Sequence, residues 1–477
     1  MILGASAHAL ALAFCYSSNM GDICASFKDM RVTVMGLGLL GRGVGDIEFL
    51  ANCGAHVTVT DKKTAVELKD SVERIKGLEN VTLHLGSHDM RDFTNADLII
   101  KAAGVPFNSP EIKAARDAGV PIAMSTALFA KYAMEAGAKI VGVTGTRGKS
   151  TITQIIAHSL ISTFASSSRK ATNEQGNASA DRRANVFLGG NIRGVSTLAM
   201  LPEIKAGDIA VLELDSWQLQ GFAELGISPH VAVFTNLMPD HQNYYSNMQE
   251  YFDDKAAIFR NQKHNDVLIV GASVEDKIRA ANPPLDPVVP ERMPKEWKLR
   301  IPGEHNRENA ALAVAALQAL GLSEEDIQQG LETFDAVEGR LQFVREVNGV
   351  RIFNDNNATT PEATIAGLRA LGSDIVLICG GSEKGLALDE LISEIRARVS
   401  HVVLLAHENY KGSARLAEVL KKEGIAFEEA NSLAGAVEAA VRKEAGIILF
   451  SPAFASFGMF KNEYDRNDQF LKLVQEL

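Results

Sequence analysis

Along the chain, short uninterrupted apolar runs alternate with longer stretches whose apolar positions recur every third or fourth residue. This is the pattern of buried parallel strands alternating with amphipathic helices. Arg31 to Met35, His56 to Thr60 and Leu98 to Ala102 read as strands, with helical segments running to Asn52 and over Ser109 to Ala118. Lys139 to Val143, Ile209 to Leu214 and Val231 to Thr235 form a second group, the first of them followed by an apolar helix over Ile152 to Ile161. A third group, Val376 to Cys379, His401 to Ala406 and Gly446 to Phe450, alternates with helices over Leu386 to Arg398, Ser413 to Glu423 and Ala434 to Glu444. The alternation predicts an α/β protein of three domains, 31–125, 126–337 and 338–477, the outer two Rossmann-like and the central one a P-loop domain. Residues 1–30 read as a poorly ordered extension, because Met30 immediately precedes the first convincing strand. The polar, low-complexity stretch from Ser162 to Ala184 reads as a mobile surface insertion.

Composition narrows the classes of function. A chain of 477 residues with 46% hydrophobic and 22% charged positions has room for three such domains. A formal net charge of −11 leaves no basic surface for a polyanion, so nucleic-acid binding is not expected. Cys15, Cys24, Cys53 and Cys379 lie far apart without CxxC spacing, which suggests neither a disulfide framework nor a zinc site and fits a reducing cytoplasm. No run is long and apolar enough to cross a membrane, and the Ala9 to Cys15 run lacks the basic flank of a signal peptide.

Two glycine-punctuated turns carry candidate chemistry. After the strand ending at Val143, Gly145-Thr146-Arg147-Gly148-Lys149-Ser150-Thr151 reads as a phosphate-binding loop for ATP or GTP. Its glycines let backbone N–H groups converge on phosphate oxygens, Lys149 supplies charge, and the Ser150 hydroxyl is placed for Mg²⁺. After the first strand, Gly36, Gly38 and Gly41 match a dinucleotide fingerprint, with Asp61 at the end of the next strand to meet a ribose. That turn alone admits NAD, FAD or a nucleotide-sugar. Glu213 and His241 follow the two strands expected beside the phosphate loop, where a P-loop ATPase needs further magnesium ligands. Each also has a bland reading, Glu213 as a helix cap and His241 as a turn histidine. Lys255, on the helix that follows, reads by itself as a solvated lysine.

Together these motifs, with Gly189-Gly190-Asn191, Glu213 to Leu219, Asp240-His241 and Gly303 to Asn309 in that order, resemble the Mur ligases of peptidoglycan synthesis. The carboxy-terminal Asn354 to Thr360, Gly380 to Lys384 and Ser451 to Phe457 are similar to the branch that adds D-glutamate to UDP-N-acetylmuramoyl-L-alanine. The resemblance implies an ATP-dependent acid–amino acid ligase acting through an acyl phosphate, with closure of the third domain over the substrates. It implies that the first turn holds UDP, with Gly38, Leu39, Leu40, Gly41 and Asp61 near it and Asn191 and Gln218 on the muramoyl part. Gly145 to Thr151, Asn309, Arg340 and Asp355 would bind ATP, and Thr359, Lys384 and Ser456 the amino acid. Lys149, Glu213, His241 and Lys255 would be catalytic. Ser150, Glu213, His241 and a carbamylated Lys255 would hold magnesium, two ions in all.

Three positions depart from that pattern: Asn357 stands where a lysine is usual, Glu463 where an aromatic is usual with Tyr464 next to it, and Asp215 where a small hydroxyl is usual. An added carboxylate at Asp215 is expected to repel an anionic substrate. Another Mur-type or folylpolyglutamate-type ligase, a different amino acid, or a nucleotide-dependent dehydrogenase are the competing readings. A monomer is expected, since such an active site closes within one chain.

Overall fold

The computed structural model describes residues 20–38, 41–171, 184–241, 244–383 and 385–477. The chain divides into two compact units, Met1–Glu291 with Ala311–Ile327, and Arg292–Ala310 with Gln328–Leu477. The first unit opens with α1 (Met20–Phe27), β1 (Arg31–Met35), α2 (Arg42–Asn52), β2 (His56–Asp61), α3 (Lys69–Ile75), β3 (Val81–Leu85), α4 (Met90–Thr94), β4 (Leu98–Lys101), α5 (Pro110–Asp117) and β5 (Ile122–Ala123). Their strands form a parallel sheet in the order β3-β2-β1-β4-β5. There follow α6 (Ser125–Glu135), β6 (Lys139–Thr144), α7 (Lys149–Ala171), β7 (Val186–Gly190), β8 (Ile209–Glu213), α8 (Ser216–Leu225), β9 (Val231–Phe234), α9 (Met248–Arg260), β10 (Val267–Val270) and α10 (Glu275–Ala280). These build a second parallel sheet, β10-β9-β6-β8-β7.

After α11 (Glu304–Ala319) and α12 (Glu324–Thr333) come β11 (Gln342–Val347), β12 (Val350–Asn354), α13 (Pro361–Leu371), β13 (Ile375–Cys379), α14 (Asp389–Arg398), β14 (Val399–Leu405), α15 (Lys411–Lys422), β15 (Phe427–Ala430), α16 (Leu433–Val441), β16 (Ile447–Phe450) and α17 (Glu463–Gln475). The third sheet runs β11-β12-β16-β13-β14-β15, antiparallel only at β11. Its strands show why continuous apolar runs predict a sheet covered on both faces. Ile375, Leu377 and Cys379 enter one core while Val376 and Ile378 enter the core on the other face.

Three expectations change. The extension does not stay unstructured to residue 30: α1 forms from Met20, and buried Phe27 packs edge-on against Phe49 and Tyr132 at 5.9 and 5.8 Å. Residues 1–19 lie outside the described residues. Cys24 and Cys53 form a disulfide, because α1 docks beside the end of α2 and brings their Cα atoms to 4.5 Å despite a separation of 29 residues. The polar stretch expected as an insertion begins instead as helix, since no Gly or Pro interrupts Lys149 to Ala171 and α7 runs on through it. Its remainder, 172–183, lies outside the described residues. Among the described residues no helix is long and apolar enough to cross a membrane.

Candidate functional site: a phosphate loop and an adjoining cavity

The phosphate loop leaves the central strand of the second sheet. Gly145 has φ +136°, and a Cβ there would lie 1.9 Å from Thr235 Oγ1, so only glycine fits. The loop is held from the end of β9. Thr235 Oγ1 and Asn236 Nδ2 donate to the Arg147 carbonyl at 2.6 and 3.2 Å, and the Arg147 amide donates to Asn236 Oδ1 at 2.9 Å. Thr146 is bound through its hydroxyl, which accepts from the Met238 amide at 2.9 Å. These bonds fix the loop before any phosphate arrives. Neither Thr235 nor Asn236 was expected in the site, although a polar pair closing an apolar strand is a legible signal. Gly148 turns the chain at φ +86° into α7, so Lys149, Ser150 and Thr151 form its first turn. The N-terminus of a 23-residue helix thus points at the loop.

Lys149 Nζ folds back onto the Gly145 and Thr146 carbonyls at 3.0 and 3.2 Å. The Gly145 carbonyl also accepts from Lys255 Nζ, again at 3.0 Å. Lys255 is therefore not the solvated lysine its sequence context suggests: it is 1% exposed, because its place on α9 turns it under the loop. Burial, with the Lys149 charge beside it, pushes its pKa well below the ordinary value against the opposing pull of Asp215, Asp240 and Asp254. Its ammonium also lies 4.7 Å from the Tyr251 ring centroid.

Glu213 and His241 stand on opposite sides of the loop, because β8 and β9 flank β6. Glu213 is buried and no described residue donates to its carboxylate, which leaves it open to a cation. His241 sits at φ +54° beneath the Trp217 ring, 4.7 Å between centroids, and burial holds its pKa low while Asp240 pulls the other way. The expected metal set fits only in part. Among the described residues no group of three or more His, Cys, Asp or Glu is placed to hold an ion, and Lys255 as an ammonium is no ligand. The Ser150 hydroxyl, Glu213 and His241 suit magnesium if Lys255 carries a carbamate and the nucleotide brings phosphate oxygens. Asp215 is held in a capping box. It caps α8, accepting from the Gln218 amide at 2.7 Å while Gln218 Oε1 accepts from the Asp215 amide at 3.2 Å.

The first glycine turn faces a cavity of about 310 Å³ bordered by Gly38, Lys101, Thr126, Asn191, Asp215 and Gln218. Gly36, Gly38 and Gly41 all take positive φ, and a Cβ on Gly43 would lie 2.4 Å from the Leu37 carbonyl oxygen. Asp61 Oδ2 accepts from the Leu37 and Gly38 amides at 3.0 and 3.4 Å, so the second strand end braces the turn. Across the cavity, Arg42 NH1 donates to Asn191 Oδ1 at 3.4 Å, and Gln218 Nε2 donates to Thr126 Oγ1 at 3.1 Å. Asp46 was missed. It is buried on α2, accepts from Ser196 Oγ at 2.6 Å, and burial pushes its pKa up to about 6 against the Ser196 bond. Leu39 and Leu40 lie outside the described residues.

The remaining expected residues lie in the second unit. Asp355 directly follows β12, accepts from the Leu341 amide at 3.1 Å and the Ser451 hydroxyl at 2.9 Å, and burial raises its pKa to about 7. Arg340 acts on it through space, and Asn309 Nδ2 donates to Asn306 Oδ1 at 3.4 Å. Thr359 and Ser456 sit on two loops that buried Arg466 joins. The Arg466 guanidinium donates to Asn356 Oδ1 and Asn356 O, both at 2.8 Å, and to Phe454 O at 3.4 Å. The sequence reading had also passed over Arg466. Asn357 donates to the Glu338 carbonyl at 3.3 Å, and Asn462 caps α17 so that Glu463 is its first residue and Tyr464 its second. Lys384 lies outside the described residues.

Family models match along most of the chain: a Mur ligase MurD-like N-terminal domain over 30–124, a Mur ligase middle domain over 143–288 and a Mur ligase glutamate ligase domain over 339–454. The chain is 34% identical over 491 residues to the UDP-N-acetylmuramoylalanine–D-glutamate ligase of Roseiflexus sp. (strain RS-1), covering 93% of this chain and 98% of that one. It belongs to the Mur ligase family. A second such relative, from Acetivibrio thermocellus, is 30% identical over 97% of this chain and 99% of its own. Among solved Mur ligases, UDP-N-acetylmuramate-alanine ligase MurC from Thermotoga maritima superposes with TM-score 0.59 at 20% identity, covering 94% of this chain and 99% of that one. MurF ligase from the same organism, in complex with ADP, gives TM-score 0.54 at 17% identity, with 95% and 96% covered. These two show that the Mur ligase fold is shared.

Proposed function

We propose that the chain joins D-glutamate to UDP-N-acetylmuramoyl-L-alanine with ATP, as a cytoplasmic monomer supplying peptidoglycan precursors. The observation that carries this reading is the phosphate loop with Lys255 buried beneath it, in a chain whose near-full-length relatives are named for that ligation. In the reaction a carboxylate oxygen of the alanyl group attacks the γ-phosphorus of ATP and ADP departs. The glutamate amine then attacks the acyl carbon and loses a proton as phosphate leaves with that oxygen. The loop amides and Lys149 orient and neutralise the transferring phosphoryl group, and the helix N-terminus at Lys149 adds to the same field. Asn191 and Gln218 hold the muramoyl part against the cavity wall. In the second unit, Asn309, Arg340 and Asp355 serve ATP, and Thr359, Lys384 and Ser456 hold the incoming amino acid. Magnesium, held by Ser150, Glu213, His241 and carbamylated Lys255, supplies charge neutralisation when bound, with two ions in the full complex.

The departures at Asn357 and Glu463 favour one further question, the identity of the amino acid. Phosphate release by the full chain, measured with ATP, magnesium, UDP-N-acetylmuramoyl-L-alanine and a panel of amino acids, should occur only with both acceptor and donor present and be fastest with D-glutamate. A faster rate with another amino acid replaces the donor assignment, and release without either substrate removes the ligase assignment.

A further inference from the structure

Lys101 has no place in the chemistry above, yet it is the buried cation of the cavity wall. It ends β4, directly beside Met35, the residue that leads into the first glycine turn. The side chain is 1% exposed to solvent and borders the cavity that also presents Gly38, Asn191 and Gln218. All its partners are neutral. Nζ donates to the Val105, Ala102 and Ala103 carbonyls at 2.7, 3.2 and 3.5 Å and lies 4.4 Å from the Phe107 ring centroid. Among the described residues no carboxylate lies within ion-pair distance of it. An ammonium withdrawn from water without a counter-ion is unfavourable, and a fold keeps one most readily where a ligand provides the missing anion.

The charges around it point the same way. Asp215 and Glu224 on α8 and Asp254 on α9 act on Lys101 through space, with Arg116 on α5 opposing them. Asp215, which shares the cavity wall, is committed to the α8 cap, and Asp254 accepts from Gln220 Nε2 at 2.7 Å and Tyr245 OH at 2.9 Å. Neither is free to close on the lysine. Burial lowers the Lys101 pKa to about 8, so it is predominantly charged at neutral pH.

Resting on the ligase reading above, we propose that Lys101 is a substrate-binding residue that receives an anionic oxygen of the UDP-muramoyl substrate, exchanging its carbonyl partners for that ion pair. The substrate offers such oxygens on its diphosphate and on its alanyl carboxylate. It also answers the expected repulsion from Asp215, since a cation stands on the same wall.

The test is calorimetric binding to the full chain, wild type against Lys101→Met and Lys101→Gln, with melting curves to establish that each variant folds. The glutamine keeps a hydrogen-bond donor and removes only the charge, so it serves if the methionine variant fails to fold. Three probes are used: UDP-N-acetylmuramoyl-L-alanine, UDP-N-acetylglucosamine and UDP. Loss of a charged hydrogen bond should weaken the first by about 10- to 100-fold. Equal weakening of all three places the lysine on the diphosphate, and weakening of the first alone places it on the carboxylate. If the wild type binds the muramoyl probe and both variants match it to within about twofold, the Lys101 proposal is overturned while the ligase reading stands. If the wild type binds none of the three, both fall.

Discussion

At the scale of single residues, the buried charges are where the proposed chemistry can be tested. Lys255 is held under the phosphate loop with its pKa lowered by burial, and carbamate formation needs a neutral amine. Lys255→Ala should lose phosphate release by orders of magnitude, and added formate or acetate should restore part of it by replacing the lost oxygens. Full activity in the unsupplemented variant would refute the role. His241→Ala should leave ATP binding largely intact and still lower phosphate release by orders of magnitude, which nucleotide titration and a phosphate assay together decide. Asp46 makes a prediction about stability. Its folded pKa is raised to about 6 from 3.8, so its share of stability is present below the unfolded value and lost as pH rises through about 6. Against Asp46→Asn, the wild type should therefore lose about 2 kcal/mol between pH 4 and 6. Parallel melting profiles for the two proteins would count against it.

Elements were legible in proportion to how regular their surroundings are. The strands buried on both faces could be read to within a residue or two, because apolar runs of that length have few other uses. α1 escaped because the features that hold it, Phe27 in an aromatic cluster and Cys24 bonded to Cys53, are contacts with residues distant in sequence. The reach of α7 escaped because polar composition was taken for irregularity, when the absence of Gly and Pro was the better guide. The glycine turn carries a prediction at this scale. Gly43→Ala places a methyl 2.4 Å from the Leu37 carbonyl, so α2 must move off the turn. The expected cost is about 1 to 3 kcal/mol together with weaker UDP binding. A variant as stable as wild type would show that the helix shifts freely.

Across the whole chain, the ends of apolar runs pointed to the phosphate loop after β6, to Glu213 on β8 and to His241 beyond β9, whereas Asn191, after β7, and Gln218, within α8, were reached only through the family resemblance. Thr235 and Asn236 were legible only as a polar pair closing a strand, and Asp46 and Arg466, which act by holding other residues, carry no motif of their own. Nor could sequence motifs show that Asp215 caps a helix. The ligand of the first unit should be visible in the stability of the whole protein. UDP at about 100 times its Kd should add about 2.7 kcal/mol to the unfolding of the unit that contains the cavity. A melting curve unmoved by saturating UDP would deny that the cavity takes a uridine nucleotide.

The Gly145 carbonyl, which receives both Lys149 and Lys255, sets an order of events. While Lys149 rests there, its positive charge adds to burial in holding the Lys255 pKa down, which favours the neutral amine that a carbamate would need. A nucleotide that draws Lys149 onto its phosphates withdraws that help. CO₂ should therefore load before ATP, and pre-incubation with nucleotide should delay the ¹³C carbamate signal at Lys255. The loop would then act as a clock as well as a cradle, admitting its fuel only after the metal site has been finished.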